Sequence, residues 1–386
     1  MTLPSMDAAD LAATIVGHDA RPAYRLTHDG QDLTARFQGR LISLTLVDNR
    51  GFEADQLDIE LDDADGMLAL PEKGVRLQLA LGWEDTGLVD KGSYKVDEIE
   101  HAGPPDRLTI RARSADLASD MTTRKERSFR DQTIGDLVRA IAGKNELVAI
   151  IAAKLADVVI EHLDQTGESD ANLLTRLAKD HDAIATVKQG KLLFIQAGAA
   201  LSASGVPLPT VTITRASGDT HSFLVADREN YNGVKAYYQD TRRAVKGEVV
   251  VDASNATVEK EKPATPKKKA QRPADTMSPN PDNVKVLRHT YATKSNAERA
   301  ARAEWARIQR GMATFGITLA RGRPDLFPEL PAVVRGWKPQ IDSAGWTLAK
   351  VTHSVSERGY TTSLELELKS GESDDSNSEP ASSAYP

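Results

Sequence analysis

The sequence predicts an α+β protein, mainly β, in which two β-barrel domains flank a helical or mixed insertion. Three observations carry this. Apolar and polar residues alternate with period two from about Tyr24 to Arg113, the period lengthens to that of helices between about Ser114 and Asp182, and a strand pattern near the C-terminal end repeats a spacing found in the first region. With 386 residues, 40% hydrophobic and 27% charged, the chain has material for two or three cores.

Residues 1–115 are expected to form the first barrel. Leu57, Ile59 and Leu61 interleave with Asp58, Glu60 and Asp62, which puts one set on a buried face and the other in water. The turns between strands are marked by His28-Asp29-Gly30, Asn49-Arg50-Gly51, Asp65-Gly66 and Gly103-Pro104-Pro105-Asp106. Strands from residues 191–225, at Lys191 to Gln196 and Thr210 to Thr214, are expected to complete this barrel. Residues 116–190 form the insertion. There Thr133 caps a helix with Ile134, Leu137, Val138 and Ile141 on one stripe and Gly143 at its end, and a second helix starts near Ser169 with Leu173, Leu174 and Leu177 inward.

Residues 226–370 are expected to form the second barrel. A Lys-, Pro- and Ala-rich stretch, 259–282, reads as a flexible basic insertion within it. Ser295 and Glu298 have the spacing of a capping box for a helix running to about Arg310 before Gly311. Residues 371–386, rich in Ser and acid, read as a disordered tail.

The repeat is visible when the two strand regions are aligned. Gly82-Trp83 precedes Tyr94-Lys-Val96-Asp-Glu-Ile99-Glu-His101 and the strand Leu108-Thr-Ile110-Arg-Ala112. Gly336-Trp337 precedes Trp346-Thr-Leu348-Ala-Lys-Val351-Thr-His353 and Leu364-Glu-Leu366-Glu-Leu368. The aromatic-to-histidine interval is seven residues in both, with matching apolar positions between. Two copies of one sheet unit suit a tube better than a cleft with a unique pocket.

Composition and motifs argue against the usual chemistries. There is no cysteine, so disulfides, thiolate nucleophiles and cysteine metal sites are excluded. A net charge of −7 does not suit a surface that grips nucleic acid, which draws on clustered Lys and Arg. The N-terminus lacks a basic leader, and the most apolar segment, Leu147 to Ile160, is broken by Lys154 and Asp157, so neither export by a signal peptide nor a membrane span is expected.

The eight histidines are scattered, and His181-Asp182 reads as a polar helix end. Leu61-Asp-Asp-Ala-Asp65-Gly66 lacks the first acid of a calcium loop, and Glu365 and Glu367 are expected on a solvent face. Lys260, Lys262, Lys267, Lys268, Lys269 and Arg272 form a basic run without aromatic stacking groups, so it reads as a solvated loop. No catalytic, cofactor or metal residue is nominated, and the protein is expected not to be an enzyme.

The stretch His162-Leu-Asp-Gln165-Thr-Gly-Glu168-Ser169-Asp170-Ala-Asn-Leu173-Leu174-Thr-Arg176-Leu177-Ala178, followed by Gly190-Lys191-Leu192-Leu-Phe194, resembles the phage late control D family and the hub portion of the type VI secretion spike protein VgrG. Gly336-Trp337, Trp346, His353 and Gly359 to Thr362 also look like that family. The motif residues Gln165, Glu168, Ser169, Asp170, Arg176 and Leu177 have a structural reading, with Ser169 as helix cap and Asp170 as first-turn acid.

The resemblance implies a baseplate hub of a contractile phage tail or tailocin. It implies tube-type barrels, a homotrimer forming a pseudo-sixfold ring, and a lumen for genome passage, with no cofactor. The implied partners are the tail tube protein, a separate spike protein, other baseplate proteins and DNA in transit, with no stable membrane association. It further implies assembly in the bacterial host cytoplasm and residence in the tail baseplate. The hub of a genome-less tailocin or secretion machine is the alternative. A cell-wall hydrolase lacks a visible acid pair, and a glycan-binding module on residues 114–182 has only Phe129 as an aromatic platform.

Overall fold

The computed structural model describes residues 21–115, 119–201, 205–225, 231–240, 244–255 and 283–369. The expected basic insertion 259–282 and the acidic tail 371–386 lie outside them. The chain divides into two compact units, Met1–Val225 with Thr314–Glu367, and Ala226–Ala313 with Leu368–Pro386.

The first unit opens with β1 (Pro22–His28), β2 (Gln31–Asp32), α1 (Thr34–Phe37), β3 (Leu41–Asp48), β4 (Gln56–Asp62), β5 (Arg76–Trp83), β6 (Gly87–Ala102) and β7 (Arg107–Ser114). The predicted alternation is realised in β4, where Leu57, Ile59 and Leu61 are fully buried. They pack with Leu44, Leu46, Leu79, Leu81, Leu108 and Ile110 in one core.

Next come α2 (Ser119–Thr122), β8 (Arg124–Thr133), α3 (Ile134–Lys144), β9 (Val148–Ile151), α4 (Ala153–Ala156), β10 (Val159–Ser169), α5 (Asp170–Asp180), β11 (Ala183–Lys188) and β12 (Lys191–Gln196). This segment is a mixed α/β module with its own core, in which α3 and α5 bury Ile134, Leu137, Ile141, Leu173, Leu174 and Leu177. Thr133 caps α3 in a capping box with Asp136. Gly143 does not end α3: the helix runs through it to Lys144, with Asn145 as C-cap.

Then follow β13 (Val211–Thr214) and β14 (Gly218–Val225), and, in the second unit, β15 (Gly233–Asp240), β16 (Val245–Asp252), β17 (Val284–Tyr291) and α6 (Lys294–Gly311). There β15 lies between antiparallel β16 and parallel β17. One core is made of Val234, Ala236, Val249 and Val251 from the sheet and Ala297, Ala301, Trp305 and Ile308 from α6. The cap of α6 is Thr293, two residues before the expected Ser295, because Thr293 is still extended and its hydroxyl accepts from Asn296 N at 3.3 Å.

The first unit resumes with β18 (Ala313–Leu319), β19 (Pro331–Arg335), α7 (Pro339–Asp342), β20 (Trp346–Ser356) and β21 (Gly359–Leu368). Its largest sheet places one set of strands in the order β3-β4-β7-β6-β5-β1 and a second in the order β14-β18-β21-β20-β19-β13. With the two-residue β2, which pairs only with β1 at the edge, left aside, each position in the second set holds the strand of the same rank along the chain as in the first. One pairing differs: β1 is antiparallel to β5, whereas β13 is parallel to β19.

The domain boundaries drawn from the sequence therefore shift. β13 and β14 join the second strand set, not the first. β12 pairs with β11 and β9 inside the module, because Leu192 and Phe194 are fully buried in the module core. Of the stretch 226–370, the part up to Ala313 belongs to the second unit.

Candidate assembly site

The motif in the module is a buried ionic knot. β10 is antiparallel to β8, with a bulge between Thr166 and Glu168 where Gly167 takes φ +61°. Gln165, buried, staples that bulge: its amide donates to Glu168 O at 2.9 Å and to Asp170 at 3.0 Å, and its carbonyl accepts from Arg127 Nε at 2.8 Å. Ser169 Oγ accepts from Asn172 N at 3.2 Å and caps α5.

Asp170, fully buried, also takes Lys125 Nζ at 2.8 Å and the guanidinium of Arg127. Its place in the first turn adds the favourable end of the helix dipole. Arg176 pairs with Glu168 and donates to Asp164 O at 2.9 Å, and Leu177 fills the module core. Every motif residue named from the sequence is thus tied into local structure.

The repeat-matched residues occupy equivalent strands in unequal surroundings. Tyr94 and Trp346 are both buried, in β6 and β20, and Trp346 Nε1 donates to Ile341 O at 3.0 Å. Trp83 ends β5 and Trp337 follows β19. Trp83 Nε1 donates to Gly322 O at 2.9 Å, whereas Trp337 packs against Phe315 and His221, with ring centroids 5.1 and 5.8 Å away.

His353 is fully buried, its Nδ1 beside Tyr360 Oη at 2.9 Å and Thr362 Oγ1 at 3.1 Å, and burial drives its pKa down to about 3. His101, its counterpart, is exposed and reaches Asp63 at 3.2 Å. The difference has a visible cause. β20 is covered at His353 by β3, with His353 opposite Leu46, while the same stretch of β6 has no strand on that side among the described residues.

That β3–β20 ladder, Val351 to Ser356 opposite Asp48 to Ser43, joins the two strand sets into one sheet. The loop between β18 and β19 reinforces it. Gly322 lies so close to the Tyr360 ring that a Cβ would sit 2.5 Å from it, Trp83 stacks on Tyr360 at 5.4 Å, and Arg321 covers the Trp83 ring at 4.9 Å while pairing with Asp85 at 3.0 Å. Lys91, whose ammonium burial lowers to about 8, donates to Leu326 O at 3.2 Å. Arg50 is held between Glu329 at 2.5 Å and Glu367. Glu367 is therefore half-buried in an ion pair and not on a solvent face, because the ladder carries the turn after β3 to the side of β21.

The module is fastened to the first strand set by a second cluster. Lys188 Nζ sits between Asp48, at 2.8 Å, and Asp55. Burial raises the Asp55 carboxyl to about 6, with Lys188 opposing and Asp48 adding to the rise. Burial works against the Lys188 ammonium, but the two carboxylates together hold its pKa above the usual value. A cavity of about 650 Å³ lies at this joint, lined by Lys91, Tyr94, Ile184, Lys188 and Phe327 among others.

The other residues weighed for chemistry are engaged structurally. Asp65 pairs with Arg40 at 2.5 Å, Asp62 accepts from Ala64 N at 2.9 Å, and Asp63 accepts from Leu68 N at 2.9 Å. His181 is the C-cap of α5, and Asp182 follows with φ +49°. Phe129 packs against the module core beneath Arg127. No helix among the described residues is long and apolar enough to cross a membrane.

Among the described residues, backbone left without a ladder partner lies at sheet edges. β14 is the last strand of its set, exposed along nearly its whole length, with Leu224 and Val225 60% and 62% exposed. The flank of β6 from Asp97 to Ala102 lacks a ladder partner on the β5 side among the described residues. Edge strands of this kind offer free N–H and C=O groups to another chain.

Comparison with known proteins agrees with a role in assembly. Residues 44–359 match the family model described as phage tail baseplate hub (GPD). A protein of Escherichia phage 186, named "Probable baseplate hub protein", is 49% identical over 92% of this chain and 94% of its own length. The tail protein from Neisseria meningitidis MC58 has the same fold at 15% identity, with a TM-score of 0.63 over 90% of this chain and 96% of that one. The Escherichia coli c3393 protein, described as a type VI secretion component similar to T4 tail proteins, matches with a TM-score of 0.50 at 14% identity over 88% of this chain and 76% of that one.

Two outcomes are expected of the clusters above. Asp170→Asn leaves Lys125 and Arg127 without their buried anion and should lower stability by about 3 kcal/mol in denaturant unfolding, a loss of the size found when one partner of a buried pair is removed. A change under about 0.5 kcal/mol would contradict this role.

Because Asp55 titrates higher in the folded protein than its ordinary value of 3.8, its contribution is present at low pH and is lost as pH rises through about 6. Asp55→Asn should therefore flatten the fall in melting temperature between about pH 4 and pH 7 relative to the parent. Parallel profiles would refute the assignment.

Proposed function

Because the chain belongs to the phage tail baseplate hub family, we propose that it forms a homotrimeric ring joining a sixfold tail tube to a threefold spike, with an axial lumen through which the genome passes. The single observation that carries this reading is the strand order found twice in one unit. Three chains with two similar sheets each offer six similar positions to a sixfold partner, while the identical chains keep threefold symmetry toward the spike.

In this reading the work of the protein is geometric and not catalytic. The strand sets act as tube-type barrels, and their free edges are closed by neighbouring chains, which removes the aggregation hazard that each edge carries alone. The acidic balance of −7 suits a lumen that DNA passes and does not adhere to, since phosphate binding needs clustered cations. The α/β module, held by Lys188 to Asp48 and Asp55, projects from the first set as a surface for other baseplate proteins. Assembly takes place in the host cytoplasm and the product resides in the tail baseplate.

Native mass spectrometry of the purified chain, alone and mixed with the tube and spike proteins of the same particle, tests the stoichiometry. The expected species contains three copies of the 41.8 kDa chain. Monomers or dimers at every concentration, in both settings, would contradict the ring.

A further inference from the structure

The two strand sets of one chain already show how one set meets the next, and this gives a template for the contact between chains. Within the chain, β3 of the first set pairs antiparallel with the C-terminal half of β20 in the second, Asp48 to Ser43 against Val351 to Ser356. The equivalents of β3 and β20 in the other set are β14 and β6. Among the described residues, both of these have a free side where β3 and β20 are paired.

We infer that β14 of one chain pairs antiparallel with the Asp97–Ala102 flank of β6 in the next copy, repeating between chains the β3–β20 ladder. This deepens the ring reading and rests on it.

The register follows from the repeat. The interval Trp346–His353 in β20 matches Tyr94–His101 in β6, so the segment paired with β3, Val351 to Ser356, corresponds to residues 99–104, of which Ile99 to Ala102 lie in β6. In β3 the inward residues are Leu44 and Leu46, both buried. In β14 the inward residues are His221 and Phe223, whose rings meet Phe315, Trp337 and Trp346. Superposing these two pairs sets Ser222 opposite Ala102, as Thr45 lies opposite Ser354 within the chain.

The exposure of both strands fits a surface that another copy covers. Phe223, Leu224 and Val225 are 37%, 60% and 62% exposed, three consecutive apolar residues on an edge. The receiving flank carries Asp97, Glu98 and Glu100, charges that discourage indiscriminate pairing of an edge before its partner arrives. The contrast between buried His353 and exposed His101 has the same origin, since His353 has its neighbouring strand in the chain and His101 meets its own only in the assembly.

The chain has no cysteine, so engineered disulfides report this contact without background. Opposed residues of an antiparallel pair have Cα atoms about 4.5–5.5 Å apart, within reach of a disulfide. The chain carrying Ser222→Cys and Ala102→Cys, assembled and then oxidised, should run as a covalent trimer on a non-reducing gel. Each single variant should stay monomeric there, as should Ser222→Cys with Lys95→Cys, whose second site already faces β5. If native mass spectrometry finds trimers but the double variant forms no covalent link between chains, the strand pairing is overturned while the ring stands. If neither oxidised nor unoxidised protein forms trimers, the ring reading fails and the pairing with it.

Discussion

The pairing of β3 with β20 is the constraint on which the rest of the first unit depends. An edge strand has backbone donors and acceptors that must be satisfied, and here the edge of the first strand set is satisfied by a strand of the second, more than 290 residues away in sequence. Once that ladder forms, several side chains have no other place to go. Trp83 lies over Tyr360 and donates to Gly322, Arg50 falls between Glu329 and Glu367, and His353 is sealed without charge beside Leu46. The joint is built from long-range contacts, so it is slow to form and specific once formed.

The mixed module depends on a different device. Its sheet of β8 and β10 is held to α5 by Asp170, a buried carboxylate that gathers Lys125, Arg127 and Gln165. Replacing an ionic knot of this kind by well-packed apolar residues is often neutral or stabilising, whereas removing one partner leaves a buried charge uncompensated. Asp170 thereby ties the first turn of α5 to β8 through Lys125 and Arg127 and to β10 through Gln165. The Lys188 cluster links β11 of the module to Asp48 and Asp55 of the first strand set.

Much of this was legible in the sequence, where the signal was local. Alternation in Leu57, Ile59 and Leu61 marked β4, Thr133 and Ser169 marked helix starts, and the matched intervals ending at His101 and His353 marked equivalent strands. What was missed depends on distant partners. That β13 and β14 belong to the second strand set is not visible in the sequence, because β14 is exposed in the single chain and carries no burial period. The ion pair of Glu367 is not visible in the sequence because Arg50 lies 317 positions away. The ionic role of Asp170 was hidden behind its capping role, since Lys125 and Arg127 stand more than 40 residues upstream.

The central claim is that one chain supplies two equivalent units of a ring, and electron microscopy of the assembled particle viewed down its axis tests it most directly. The account predicts a closed ring of six similar lobes made by three chains, with the lobes alternating only in the appendages they carry. A projection with three lobes, or with an open or stacked arrangement in which the two strand sets of a chain lie at different heights along the axis, would contradict it.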